Sequence, residues 1–276
     1  MLRKKIAVLV TLASAVSTIA WSTVCGQEAV SELPEIMAAA VTKLPEGPRP
    51  ARGDDNCSTS WIDPETDAGR FVQERGWGVM SEVATGEYQL VSFAGNFEPG
   101  TSGSCAIQQG NIGVFAGRQL KAILYTSNKT DELIGALVPL ENGNVRLWSS
   151  GYLESPVADI LVGSIGVVVR PVAEEDTFCG GKVIVPNIYD EDITEARQSL
   201  IAAGWQPEEQ PRMEWGQQPD LQDLGIVEAV DCSGTGFGFC GYSYGGEGAS
   251  LSVTTAGELW EDNVPSVTDY AVTCEL

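Results

Sequence analysis

The chain has 276 residues, with 38 Asp or Glu against 16 Lys or Arg, so its formal net charge is −22. A chain this acidic is repelled by nucleic acids and by anionic lipid surfaces, which excludes both as expected partners. It contains no histidine, which excludes Ser-His-Asp triads, Cys-His dyads and histidine-ligated zinc.

A secretion signal is predicted over residues 1–26. A basic head at residues 3–5 precedes an apolar run at residues 6–21 that is short for a membrane span, and small residues follow. The alternative is a lipoprotein acylated at Cys25, although Val24 stands where a lipobox has a small residue. The sequence therefore predicts a periplasmic or secreted protein with no transmembrane segment in its mature form.

Six cysteines follow Cys25, and an even number in an exported chain indicates three disulfides. Six cysteines allow fifteen pairings. From proximity along the chain we favour the pairs Cys57–Cys105, Cys179–Cys274 and Cys232–Cys240. There is no CxxC spacing, so no metal site and no cofactor is predicted.

Residues 27–56 are interpreted as a linker that contains one helix. Apolar residues recur at helical spacing over residues 27–43. Three prolines and a glycine at residues 45–50 then end any regular element.

Helix and strand patterns mix over residues 57–172, which we interpret as an α+β domain of unknown family with an antiparallel sheet. Asp63 and Pro64 begin a predicted helix that ends at Gly76. A second, short helix is predicted over residues 130–137. Strands are predicted at residues 77–84, 88–97, 112–115, 120–125, 145–148 and 163–171.

A second, smaller domain is predicted over residues 177–276. An apolar strand runs into Pro186, and apolar residues at 193, 196, 200 and 201 then follow at helical spacing. Asp190 or Asp192 is expected to cap this helix, and Gly204 to end it. Strands are predicted at residues 225–230, 248–255 and 266–274.

The order of Val185-Pro186-Asn187, a capped helix and a closing Ala203-Gly204 resembles the start of a PASTA domain, a module of cell-wall-sensing kinases and penicillin-binding proteins. The resemblance covers about residues 180–256. It implies a helix packed on a small sheet, and contact with peptidoglycan fragments or an envelope protein. Residues 232–236 replace the family's Gln-x-Pro-x-x-Gly stretch, and the strand after Thr255 is additional.

The candidate binding residues are the aromatic residues in and after the Cys232–Cys240 segment: Phe237, Phe239, Tyr242 and Tyr244. Rings at alternating positions of a strand fall on one face, where they would stack on sugars or meet a protein partner. The alternative interpretation is that these rings pack into the core.

Three other chemistries have candidate residues. Glu98 and Glu154 are the acids that would serve as a glycosidase-like carboxylate pair. Residues 127–129 bring a serine near a lysine, as a Ser-Lys dyad would need. Acids at residues 54–67 and 190–192 would offer oxygens to calcium, but they lack the spacing of a calcium loop and are interpreted as helix caps.

The sequence as a whole favours an exported, disulfide-stabilised, non-catalytic binding or structural protein of the bacterial cell envelope. One alternative is a histidine-free, carboxylate-dependent hydrolase. The other is a secreted enzyme inhibitor that presents the Cys232–Cys240 hairpin.

Overall fold

The computed structural model describes residues 28–50, 57, 59–100, 105–126, 131–164, 166–234, 236–260 and 263–275. The predicted secretion signal lies outside these residues. Within them the chain forms nineteen strands and three α-helices, so β-sheet dominates and helices are few. No helix in this part of the chain is long and apolar enough to span a bilayer.

The helices are α1 (Asp67–Glu74), α2 (Ile193–Ala202) and α3 (Gln218–Asp223). The strands are β1 (Glu28–Ser31), β2 (Ile36–Ala40), β3 (Gly78–Thr85), β4 (Tyr88–Ala94), β5 (Asn96–Pro99), β6 (Cys105–Gln108), β7 (Asn111–Ala116), β8 (Gln119–Thr126), β9 (Leu137–Pro139), β10 (Val145–Trp148), β11 (Pro156–Gly163), β12 (Gly166–Arg170), β13 (Glu175–Phe178), β14 (Val183–Pro186), β15 (Gln206–Pro207), β16 (Ala229–Cys232), β17 (Cys240–Gly246), β18 (Ala249–Ala256) and β19 (Ser266–Cys274).

Two five-stranded sheets form the first half of the molecule. Sheet I has the strand order β1-β12-β11-β10-β9, and sheet II has the order β2-β8-β7-β4-β3. Ala122 and Leu124, at alternate positions of β8, are buried in the cluster between the two sheets, as expected for one face of a strand on a core. Side chains from both sheets share one buried cluster, so the sheets pack face to face.

Sheet II is covered on both faces, which explains the nearly continuous apolar sequence of β4. Leu90 belongs to the cluster between the sheets, whereas Val91 and Phe93 pack in a second cluster that includes Val72 of α1. Helix α1 begins at the cap Thr66, whose side chain accepts a hydrogen bond from the Gly69 N–H. The first predicted helix is therefore present, but it is shorter than expected.

The predicted linker with a helix is wrong for residues 28–40. This segment forms β1, which pairs in parallel with β12, and β2, which pairs antiparallel with β8. Alanines favour a helix locally, but the open edges of both sheets offer the backbone hydrogen-bond partners, and tertiary pairing overrides the local preference. The first folded unit therefore begins before residue 57.

The second predicted helix, at residues 130–137, is also wrong. The chain forms only a short 3-10 helix at Asp131–Leu133 and then enters β9. Ile134 and Leu137 are buried between the sheets, which draws the chain inward. A Cβ on Gly135 would lie 2.4 Å from the Ser149 carbonyl oxygen, so the backbones are in close contact here and leave no room for a helix.

The second half contains a hairpin of β13 and β14 and an antiparallel sheet III, in which β15 and β16 pair with β17, followed by β18 and β19. Helix α2 packs on this sheet through Ile193, Ala196 and Leu200. Asp192 caps α2 by accepting hydrogen bonds from the N–H groups of Thr194 and Glu195, as predicted. The expected strand at residues 225–230 begins later, at Ala229, and α3 was not predicted.

Three disulfides close the structure, and they are the three pairs favoured from the sequence. Cys57 joins Cys105, Cys179 joins Cys274, and Cys232 joins Cys240, with Cα–Cα distances of 5.2, 5.7 and 4.1 Å. The second pair ties the turn after β13 to the end of β19, so it closes the whole second half.

Removal of the Cys179–Cys274 bridge should cost more stability than removal of Cys232–Cys240. The chain-entropy model gives about 4–5 kcal/mol for the sequence separation of 95 and about 2–3 kcal/mol for the separation of 8. Urea unfolding of the two double Cys→Ala variants measures the difference. Equal losses of unfolding free energy would contradict this account.

Candidate functional site

The four predicted binding rings do not share one face. Tyr242 and Tyr244 lie on β17 and are fully buried, whereas Phe237 and Phe239 precede that strand and are 40% and 39% exposed. The prediction of a binding role is therefore wrong for the two tyrosines. The reason is twofold: β17 begins only at Cys240, so the phenylalanines precede it, and odd- and even-numbered positions of a single strand would in any case face opposite sides.

Both buried tyrosines direct their hydroxyl groups to polar partners in the core. Tyr242 contacts the Thr255 hydroxyl at 3.2 Å, and Tyr244 donates to Oε1 of Glu228 at 2.8 Å. Arg197 donates to the same oxygen at 2.8 Å, so the buried Glu228 carboxylate is neutralised by an arginine. Burial raises the pKa of Tyr242 to about 12.

The two phenylalanines form an exposed cluster with a tyrosine from the first half of the chain. The ring of Phe237 lies 5.0 Å from the ring of Tyr152 and 5.9 Å from that of Phe239, measured between centroids. Tyr152 is 48% exposed. We call Tyr152, Phe237 and Phe239 the ring patch. Rings that stay half exposed while touching one another offer apolar faces to a ligand.

The loop that carries the two phenylalanines of the ring patch is held at several points. The Cys232–Cys240 disulfide closes it, and the Phe239 carbonyl accepts a hydrogen bond from the Ser233 N–H at 2.7 Å. The Phe237 carbonyl accepts one from the Gly257 N–H, also at 2.7 Å. Gly238 has a φ of 62°, and a Cβ there would lie 2.8 Å from the Gly257 carbonyl oxygen. Only glycine fits this position without displacing the loop.

The two acids predicted as a hydrolytic pair are placed differently. Glu154 lines a pocket of about 310 Å³ together with Ser60, Met80 and Ser150. Much of Glu154 is exposed, yet partial burial of its carboxyl group raises its pKa. Glu98 is exposed on β5 and is not among the residues that line this pocket. The structure does not bring the two acids together there.

The remaining candidates from the sequence are the calcium-binding acids and the Ser-Lys dyad. Asp192 is occupied as the cap of α2, and no group of three or more metal-ligating side chains occurs among the described residues. Asp54, Asp55 and the Ser-Lys candidate at residues 127–129 lie outside the described residues.

The structure also contains a site that the sequence did not predict, built around a buried arginine. Arg146 of β10 is 2% exposed. It donates to both oxygens of Asp159 on β11, at 2.8 and 3.1 Å, and to both oxygens of Asp176 on β13, at 2.5 and 2.8 Å. The Tyr270 hydroxyl of β19 donates to Asp176 at 2.7 Å. We call Arg146, Asp159 and Asp176 the arginine clamp.

The charge on the arginine is maintained by its partners. Burial alone lowers the pKa of Arg146, but hydrogen bonds and charge from Asp159 and Asp176 raise it by more, so the net shift is upward. The signal available in the sequence was a lone charged residue in the apolar strand Val145–Trp148, because such a charge is buried only with partners.

A pocket of about 200 Å³ lies over the arginine clamp, at the boundary between sheet I and the second half of the chain. Its lining includes four aromatic side chains, which are Trp148, Phe178, Tyr189 and Tyr270. Burial raises the pKa of Tyr189 and Tyr270, so both phenols stay neutral at physiological pH. Asp269 and Glu141 also line this pocket and are exposed to solvent.

Comparison with known proteins gives no match: no family model, no curated protein and no solved structure is similar to this chain.

Replacing Arg146 with methionine should destabilise the protein by about 3–5 kcal/mol, because two buried carboxylates lose their counter-charge. The matched control is Arg118→Met, which breaks an exposed ion pair with Glu74 and should change the free energy of unfolding little. Urea unfolding measures both variants. Equal effects would show that the clamp does not hold the fold.

Stability should fall at alkaline pH through the buried tyrosines. The pKa of Tyr242 is about 12 in the folded chain, against about 10 for an unfolded tyrosine. Its stabilising effect is therefore complete below pH 10 and is lost as the pH rises towards 12. Unfolding free energies measured across this range should fall less steeply in Tyr242→Phe. An unchanged slope in that variant would contradict the assignment.

Proposed function

We propose that the chain is an exported, disulfide-stabilised, non-catalytic binding protein of the bacterial cell envelope, and that the ring patch is its contact surface. The observation that carries the proposal is the mutual packing of Tyr152, Phe237 and Phe239 in an exposed position. A disulfide-closed loop presents two of these rings, so little conformational freedom is lost when a ligand binds.

The ligand we propose is envelope glycan, peptidoglycan above all. Exposed aromatic rings stack on the apolar faces of sugar rings, and this contact needs no positive charge from an acidic protein. The wall also carries negative charge in many bacteria, so recognition through neutral sugar faces suits a chain of net charge −22.

The same ligand class is the one that the resemblance of the second half to a PASTA domain implies. Strand β14 runs into Pro186, a capped helix α2 follows, and that helix packs on the antiparallel sheet III. This is the order that the resemblance implies. The three disulfides fit an exported protein, because disulfides persist in oxidising compartments outside the cytosol. The secretion signal predicted at residues 1–26 indicates the same destination.

The double variant Phe237→Ser/Phe239→Ser should bind purified sacculi roughly tenfold more weakly than the wild type, because two stacking rings are lost. Tyr125→Ser is the matched control, since Tyr125 is similarly exposed on β8 but lies outside the ring patch. Co-sedimentation with sacculi measures the binding, and circular dichroism checks the fold.

A third variant tests whether binding depends on the position of the two phenylalanine rings and not only on their presence. Gly238→Ala keeps both phenylalanines but forces the loop away from Gly257, so it should also weaken binding. Retention of the wild type that is no greater than that of another acidic protein would overturn the proposal. Binding of a protein from the envelope, with no retention on sacculi, would instead favour the inhibitor alternative.

A further inference from the structure

The pocket over the arginine clamp is separate from the ring patch and has its own charge and shape. Its floor is buried, because Arg146, Asp176 and Tyr270 line it and all three are shielded from solvent. Its rim is open, because Val138, Glu141 and Asp269 are exposed. A ligand can therefore enter from solvent and reach a preformed floor.

The charge of this pocket is negative. Arg146 supplies one positive charge, which Asp159 and Asp176 together exceed. Glu141 and Asp269 on the rim add two further carboxylates. No lysine is among the residues that line the pocket. An anionic ligand is therefore repelled, and a cation is attracted.

The carboxylates attract a cation but have few oxygens available to coordinate a metal. Asp176 accepts from Arg146 and from the Tyr270 hydroxyl. Glu141 accepts from the N–H groups of Cys179 and Gly180, at 3.1 and 2.9 Å. Asp269 accepts from the Tyr270 N–H at 2.9 Å. Calcium and magnesium bind through direct oxygen contacts. This arrangement therefore suits a cation that is attracted by nearby carboxylates without being coordinated by their oxygens.

A cluster of aromatic rings lines part of the same pocket. Tyr189 and Tyr270 are stacked with their centroids 4.5 Å apart, and Trp148 meets Tyr189 edge to face at 5.3 Å. Phe178 meets Tyr270 edge to face at 6.4 Å. The faces of aromatic rings attract cations, and clusters of rings recognise quaternary ammonium groups in this way.

We propose that this pocket binds an organic ammonium ion, with a methylated or quaternary ammonium group resting against the parts of Trp148, Tyr189 and Tyr270 that line the pocket and attracted by Asp176 and Asp269. Such a group is weakly hydrated and carries diffuse charge, so it enters an aromatic pocket at lower desolvation cost than a metal ion. The proposal does not rest on the ring patch or on glycan binding.

Calorimetric titration of the disulfide-intact protein with choline tests this assignment. Neohexyl alcohol, in which a carbon replaces the nitrogen of choline, is the uncharged control ligand of the same shape. Choline should bind saturably and roughly tenfold more tightly than the alcohol, because only choline gains the cation–π and charge attraction. Calcium should not displace choline.

Two variants locate the site. Asp269→Asn should weaken choline binding several-fold and leave neohexyl alcohol unaffected, since only the charge is removed from an exposed rim residue. Asp220→Asn, on α3 and outside the pocket, is the matched control and should bind as the wild type does. Tyr189→Phe should retain binding, because it keeps the ring.

Several results would overturn the assignment. These are the absence of saturable choline binding by protein with the wild-type circular dichroism spectrum, equal affinity for the uncharged alcohol, displacement of choline by calcium, and equal effects of the Asp269 and Asp220 substitutions. Sacculus binding is read out separately, so failure here leaves the ring patch proposal standing.

Discussion

The arginine clamp is the interaction on which the two halves of this molecule depend. Arg146 and Asp159 belong to neighbouring strands of sheet I, Asp176 begins the second half, and Tyr270 on the last strand donates to Asp176. The desolvation of three charged groups is offset only if all of them remain together. One buried arginine therefore links sheet I to the hairpin of β13 and β14 and, through Asp176 and Tyr270, to sheet III.

The same clamp forms the floor of the pocket for which we propose a ligand. Asp176 and Tyr270 are satisfied by the fold itself, so they form a rigid floor for the pocket above them. The ring patch likewise joins residues from both halves, since Tyr152 comes from the first and Phe237 from the second. Both proposed binding surfaces are therefore consequences of how the halves are held together, rather than properties of either half alone.

The absence of histidine excludes histidine-dependent catalytic triads and histidine-ligated zinc, and the acidic composition disfavours nucleic acids and anionic lipids as partners. The two acids considered for a hydrolase do not line the same pocket: Glu154 lines a pocket whose lining does not include Glu98, and Glu98 is exposed on β5. Most polar groups around Arg146 are hydrogen-bonded to one another, so they form a rigid network beneath the pocket. These observations are the reason that a binding protein, and not a hydrolase, is the function we propose.

The sequence by itself determined part of the local structure and the number of disulfides. A helix α2 capped by an aspartate, the strand Val145–Trp148 and three disulfides follow from capping, strand patterning and the even number of cysteines. The structure selected Asp192 over Asp190 as the cap and one pairing among the fifteen that six cysteines allow. Only the tertiary structure decided that residues 28–40 are strands, that Tyr242 and Tyr244 are buried, and that Arg146 meets Asp176. Edge pairing, burial and ion pairing depend on residues that are distant in the chain, and local sequence patterns do not identify those partners.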